Sequence, residues 1–124
     1  YALTYPARED APVPRYDFTT ARTWEFYPPD FERFPCLKLA YAAQDAGGSA
    51  TCTLNAADEI AVEAFLNERI SFPGIASLVE ETLSRVPNRT PQSVDEVLAI
   101  DAESRRTARE VVDRQAVTVG MAKG

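Results

Sequence analysis

The residues of this sequence that could do chemistry are mostly carboxylates in pairs: Asp58-Glu59, Glu80-Glu81, Asp95-Glu96, and Asp101 with Glu103. Two carboxylates act as acid and base, or hold a divalent cation, when they converge in a sheltered cleft. Adjacent residues on a helix point about 100° apart, and these pairs straddle faces that the hydrophobic pattern turns toward water. They read as solvated faces, and Asp95-Glu96 reads as the acidic first turn of a helix. Histidine is absent. The commonest general base, the commonest metal ligand and any Ser-His-Asp triad are therefore missing from this chain. Cys36 and Cys52 are the only thiols and make no zinc site without histidine, so both read as small buried hydrophobes in a reducing compartment. Gly47-Gly48-Ser49 lacks the spacing of a phosphate loop and reads as a helix stop, while Asn88-Arg89-Thr90 matches a glycosylation sequon by chance.

The elements that would position these residues fall into two regions. Six of the nine prolines lie between Pro6 and Pro35, together with Trp24 and most of the other aromatics. Proline removes a backbone donor and biases its predecessor toward extended backbone, so this stretch is a poor helix. A sticky aromatic arm of this kind is expected to lie against another surface, with a short strand across Thr23, Trp24, Glu25 and Phe26. From Pro35 the pattern turns helical. The first helix runs through Leu37, Ala40 and Tyr41 to a stop at Gly47-Gly48. The second has Asn55 as its N-cap and Ala57, Ile60, Ala61, Ala64 and Phe65 on one face. The third opens near Pro73 and buries Ile75, Leu78, Val79, Thr82, Leu83 and Val86, with Glu81 and Arg85 paired outside. The fourth starts with the capping box Ser93-Val94-Asp95-Glu96. Its inward phase runs through Val94, Val97, Leu98, Arg105, Ala108 and Val112, with a break expected near Ala99–Asp101 and a frayed end from Val117.

The expected architecture is all-α: a small four-helix bundle over residues 31–124, preceded by an extended proline- and aromatic-rich linker over residues 1–30. Net charge is −6, from 13 basic and 19 acidic groups, which argues against a surface that tracks nucleic-acid phosphates. No stretch approaches the roughly 18 apolar residues of a membrane span. The sequence starts at Tyr1 rather than Met, so a larger polypeptide is expected around it. Composition and spacing alone reach as far as an acidic helical domain with a sticky arm, for which an independent protein-interaction module is the alternative reading.

Two longer motifs go further. Pro29-Asp30-Phe31-Glu32-Arg33-Phe34-Pro35-Cys36-Leu37-Lys38-Leu39-Ala40 resembles the PD-(F/Y)-x-R-(F/Y)-PCL-(K/R)-LA segment of the 1-deoxy-D-xylulose 5-phosphate reductoisomerases. Leu54-Asn55-Ala56-Ala57-Asp58-Glu59, running on to Ala64-Phe65-Leu66, is similar to that family's LNAANE-x-x-V-x-AFL helix. Tyr5-Pro6, Asp17-Phe18, Ile70-Ser71-Phe72, Val94 to Leu98 and Asp101-Ala102 agree with flanking elements in the same order. Asp58 departs from the family's Asn, and Arg22-Thr23-Trp24 is an unusual turn into the arm's strand. The resemblance implies the C-terminal part of a homodimeric, NADPH-dependent enzyme of the non-mevalonate isoprenoid pathway, using Mg²⁺ or Mn²⁺. It also implies a cytoplasmic location, or a plastid one in a plant or alga. The family's nucleotide, metal and phosphate ligands lie upstream of the matching segment. No catalytic, cofactor-binding or metal residue is expected here, and the implied partners are the catalytic and dinucleotide-binding domains of the same polypeptide.

Overall fold

The structure is a computed structural model and describes residues 1–10 and 12–121. Four helices follow one another: α1 (Pro35–Ala46), α2 (Ala50–Leu66), α3 (Phe72–Arg85) and α4 (Val94–Met121). Among the described residues there is no strand, and no helix is long and apolar enough to cross a membrane. The short strand expected across Thr23–Phe26 does not form in this chain. A strand is held by ladder hydrogen bonds, and no described element offers the segment an edge to pair with.

Local chemistry explains the helix ends. Pro35 occupies the first turn of α1, where a missing N–H costs nothing. Gly47 stops that helix at φ 62°, its N–H returning to the Ala43 and Gln44 carbonyls. The side-chain oxygen of Ser71 accepts from the Gly74 N–H at 3.3 Å to open α3, and Pro73 follows in the first turn. Val86 turns extended ahead of Pro87, as the residue before a proline must, and α3 ends there. At α4, Ser93 accepts from the Glu96 N–H (3.2 Å), but the Glu96 carboxylate reaches past the cap to the Gln92 N–H (2.7 Å).

Two expected boundaries move. α2 begins at Ala50, five residues before Asn55, because Ala50, Thr53, Ala56 and Ala57 already form its buried stripe. Asn55 is interior and donates to Glu59 at 3.0 Å instead of capping. The break near Ala99–Asp101 is absent. Asp101 accepts from Arg105 one turn later (2.7 Å), which supports a continuous helix. The backbone helix also continues through Val117 to Met121; residues 122–124, the rest of the end expected to fray, lie outside the described residues.

The core is Ala57, Ile60, Ala61, Ala64, Ile70, Leu78, Val79, Ala108, Val111 and Val112, flanked by half-buried Leu39, Leu54, Phe65, Ile75 and Leu83. α2 is the central helix and touches the other three. Its buried face is largely alanine, and small side chains let neighbouring helices approach closely. α1 packs only on α2 and α3, so one flank has no layer beyond it. Leu37 and Tyr41, expected in the core, are therefore exposed (39% and 54%), and α1 buries Ala43 instead. The first turns of α4 are also rotated from the expected phase. Val94, Val97 and Leu98 face out, whereas Ile100, Ser104, Ala108, Val111 and Val112 face in. Ser104 hides this stripe from a hydrophobicity reading. It can be buried because its hydroxyl donates to the equally buried Thr53 hydroxyl at 3.1 Å.

The α1–α2 and α3–α4 corners are fastened together. The Ser49 N–H donates to the Arg89 carbonyl (2.8 Å) and to Asn88 Oδ1 (2.9 Å), and the Arg89 N–H donates to Ser49 Oγ (3.0 Å). Gly48 lies between them at φ 57°, and a Cβ there would stand 2.6 Å from the Arg89 carbonyl oxygen. Only glycine fits both the backbone angle and the space. The Asn88 amide nitrogen faces the Ala46 carbonyl at 3.4 Å, so the sequon asparagine is part of this clasp.

Candidate functional site

Four of the paired carboxylates, Glu59, Glu81, Asp101 and Glu103, are held by arginines from other helices or other turns. Glu59 on α2 accepts from Asn55 (3.0 Å) and from Arg105 on α4 (2.8 Å), while Arg105 also binds Asp101 (2.7 Å). Arg89 grips Glu103 through both guanidinium nitrogens at 2.7 and 3.0 Å. Glu81 binds Arg85 one turn away (3.0 Å) and Arg114 across the α3–α4 interface. Glu96 serves the α4 cap. The hydrogen bond from Arg105 holds the Glu59 carboxyl below the ordinary range, and that from Arg89 does the same to Glu103. Arg105 is itself pushed up by Asp101 first and Glu59 second. A general acid at neutral pH needs the opposite shift, so these groups are fixed charges that pin helices. Among the described residues, no three of His, Cys, Asp and Glu gather where a metal ion could be held.

Neither cysteine is poised for reaction. Cys36 is exposed rather than buried, contrary to its expected place, because α1 is the flank helix. Partial desolvation of the Cys36 thiol, although its residue is exposed, and then the Asp58 charge push it up, and desolvation and then Asp101 do the same to Cys52, which is half-buried. Both changes lower the thiolate fraction. Within Gly47-Gly48-Ser49, Gly48 is covered by Asn88 and Arg89, and the Ser49 N–H is already taken by them.

What the structure does present is an apolar face at the junction of arm and bundle. A groove of about 520 Å³ runs between Phe34, Pro35 and Cys36 on one side and Val62, Phe72 and Ile75 on the other, with Asp58 at its edge. A second, of about 610 Å³, continues along Leu39, Ala42 and Pro73. Every described residue from Tyr1 to Lys38 is exposed. Within the arm, Trp24 (63%) and Phe26 (85%) stand in the open beside Tyr16 and Phe18, and Phe31 packs edge-on against Tyr41 at 6.3 Å. An Asx turn at Asp17, whose carboxylate accepts from the Thr19 N–H and from the Thr19 and Thr20 hydroxyls, sets the bend between Tyr16 and Trp24. Contiguous exposed apolar surface of this kind marks an interaction site. The sequence pointed to the arm but missed the groove, which is assembled from three separate stretches. It also missed Arg89 and Arg105 as cross-links; only the Asp101–Arg105 spacing gave a local signal.

Comparison with known proteins agrees with that geometry. The sequence profile of the DXP reductoisomerase C-terminal domain matches residues 1–107. The 1-deoxy-D-xylulose 5-phosphate reductoisomerase of Solibacter usitatus (strain Ellin6076) is 65% identical over 116 residues, covering 94% of this chain and 29% of that protein. The Burkholderia lata protein of the same name is 50% identical over 112 residues, covering 90% and 28%. In three dimensions the chain is similar to the Zymomonas mobilis 1-deoxy-D-xylulose 5-phosphate reductoisomerase solved in complex with NADPH. The TM-score is 0.81 at 44% identity, over 89% of this chain and 29% of that one. The chain thus spans under a third of the length of the relatives it matches. It belongs to the DXP reductoisomerase C-terminal domain family.

Proposed function

We propose that this chain is the C-terminal structural part of an NADPH-dependent reductoisomerase that converts 1-deoxy-D-xylulose 5-phosphate to 2-C-methyl-D-erythritol 4-phosphate in isoprenoid biosynthesis. The observation that carries this reading is the 65% identity over 116 residues with a protein named 1-deoxy-D-xylulose 5-phosphate reductoisomerase. Residues 1–30 are the linker and the end of the catalytic region, and residues 31–124 are the helical domain. The arm lies against the catalytic domain, and the bundle anchors it so that the walls of the active site stay in register.

NADPH and a divalent Mg²⁺ or Mn²⁺ belong to the preceding domains. The residues described here do not fit either group: no three carboxylates or thiols gather where an ion could be held, Glu59 and Glu103 are taken by Arg105 and Arg89, and Gly48 is covered by Arg89 and Asn88. No catalytic, cofactor-binding or metal residue is assigned in this chain. The parent acts as a homodimer in the bacterial cytoplasm, or in the plastid if its source is a plant or alga, without nucleic-acid or membrane partners.

The test compares the natural polypeptide carrying this sequence with the 124 residues alone. The intact polypeptide, about three times as long, oxidises NADPH when 1-deoxy-D-xylulose 5-phosphate is added. The isolated chain neither does so nor binds NADPH in a fluorescence titration. Substrate-dependent oxidation by the isolated chain, or none by the intact polypeptide, overturns the proposal.

A further inference from the structure

The junction between arm and bundle is built as an elbow. Asp30 opens a single helical turn: its carboxylate accepts from the Glu32 and Arg33 N–H groups at 3.0 and 2.9 Å, and its carbonyl accepts from the Phe34 N–H at 2.9 Å. A carboxylate in this position satisfies the free donors at a helix start. Phe34 then leaves the helical region (φ −125°, ψ 68°) because Pro35 follows it, and the chain bends into α1. Two ring contacts hold the bend. Phe31 packs edge-on against Tyr41 of α1 with 6.3 Å between centroids, and the Arg33 guanidinium stands 5.6 Å over the Phe34 ring. On the arm side, Pro28-Pro29 leads into the turn as a stiff pair. Among the described residues, the hydrogen bonds, ion pairs and ring contacts of residues 1–29 all stay within the arm. The direction in which the arm leaves the bundle is therefore set at the elbow.

We infer that Asp30 and Tyr41 are positioning residues for the reductoisomerase reaction: Asp30 caps the turn of the elbow, Tyr41 stops its leading ring, and together they hold the arm at the angle at which the preceding catalytic region works. The inference rests on the reading above and gives the bundle a specific part in it. Neither residue touches substrate, and each acts through the arm. An uncapped peptide joint lets the arm swing, and a displacement of about 1 Å imposed from far away can cost on the order of 100-fold in rate. The capped turn and the ring contact remove that freedom by two independent means. One is a pair of backbone hydrogen bonds to a side-chain oxygen, and the other is aromatic packing that needs no hydroxyl. Each therefore has a conservative replacement that keeps the elbow and a truncation that breaks it.

The intact polypeptide carries the test, as wild type and as Asp30→Ala, Tyr41→Ala, Asp30→Asn and Tyr41→Phe. Asparagine keeps an oxygen for the Glu32 and Arg33 N–H groups, and phenylalanine keeps the ring against Phe31. In substrate-dependent NADPH oxidation, both alanine variants are expected to lose about tenfold or more in kcat with KM changed less than about twofold, since misplacement acts in the transition state. Both conservative variants are expected to stay within about twofold of wild type in kcat. Spin labels at the exposed Thr20 and Ser84 read the joint itself: one narrow separation in the wild type and the conservative variants, and a broadened one in the alanine variants. Pro29→Gly loosens the exit from the elbow without touching the bundle, and a lower kcat at unchanged KM is expected there too. That variant decides the matter if an alanine variant loses its helix band in circular dichroism. Folded alanine variants with wild-type kcat or an unbroadened separation overturn the inference, and so does a conservative variant as slow as its alanine counterpart. A wild type without substrate-dependent oxidation refutes the proposed function instead, and the label separation then decides whether the elbow fixes the arm.

Discussion

Replacing Gly48 by alanine should destabilise the bundle far more than replacing its neighbour Gly47, although both have nearly the same backbone angle. Gly47 sits at φ 62° with nothing within 4 Å of an added Cβ, and Gly48 sits at φ 57° against the Arg89 carbonyl and Asn88 Oδ1 at 2.6 and 2.7 Å. Left-handed backbone costs alanine about 1 kcal/mol relative to glycine at either position. At Gly47 that is the whole effect. At Gly48 the methyl group occupies space held by backbone, so the corner must open. Opening lengthens the two bonds from the Ser49 N–H, at 2.8 and 2.9 Å, inside a residue that is 1% exposed. Each lost bond is worth about 1 kcal/mol, which brings the total to about 3 kcal/mol. The difference of about 2 kcal/mol between the variants corresponds to roughly 10 °C in melting temperature for a domain of this size. Thermal and urea unfolding of the 124-residue chain, followed by circular dichroism at the helix band, measures it. If the two variants unfold within about 0.5 kcal/mol of each other, the clasp is not holding the corners.

Leu78→Ala, at a fully buried position, should cost about 2–5 kcal/mol by urea unfolding, and Leu98→Ala, 61% exposed, should cost less than about 0.5 kcal/mol; reversed sizes would refute the observed phase of α4. Ser104→Ala leaves the buried Thr53 hydroxyl without its donor and should cost about 1–2 kcal/mol, much of it recovered in the Ser104→Ala/Thr53→Val double variant; strict additivity would show that the two hydroxyls are uncoupled. Glu59 and Glu103 have folded-state pKa values below their ordinary 4.5, so their stabilisation is present above that value and is lost as pH falls through the folded values. The urea midpoint should therefore drop below about pH 4.5, and Glu103→Gln should flatten that drop; an unchanged slope in the variant would remove the Arg89 pair as its cause.

The helical architecture was legible because each helix carries its own punctuation. Pro35, Gly47, Pro73, Pro87 and Ser93 act through backbone chemistry within a turn of the chain, and the structure places ends at or beside each of them. The phase of a helix depends on what lies across from it. Leu37 and Tyr41 read as core until α1 proves to be a flank with no layer outside it. Ser104 reads as surface until Thr53 proves to stand opposite. Asn55 reads as a cap only if the alanines before it are taken for a loop. In the candidate site, the arm announced itself by composition, since its aromatics outnumber what any linker needs. The groove and the Arg89 and Arg105 bridges did not, because they join residues 14 to 46 positions apart and no local period encodes such distances.

The corner clasp also sets an order of events. Its bonds join Ser49 to Asn88 and Arg89, about 40 residues apart, and closing a flexible loop of that length costs about 3 kcal/mol in chain entropy. The four hydrogen bonds between them, at about 1 kcal/mol each, do little more than offset that cost, so they give an open chain little net drive to close. The α2–α3 hairpin lies wholly inside the loop, and once Ile60, Ala64, Leu78 and Val79 have packed, the two corners are already neighbours. The clasp is therefore a late latch. Alanine at Gly48 or Asn88 should leave the refolding rate nearly unchanged and appear almost entirely as faster unfolding.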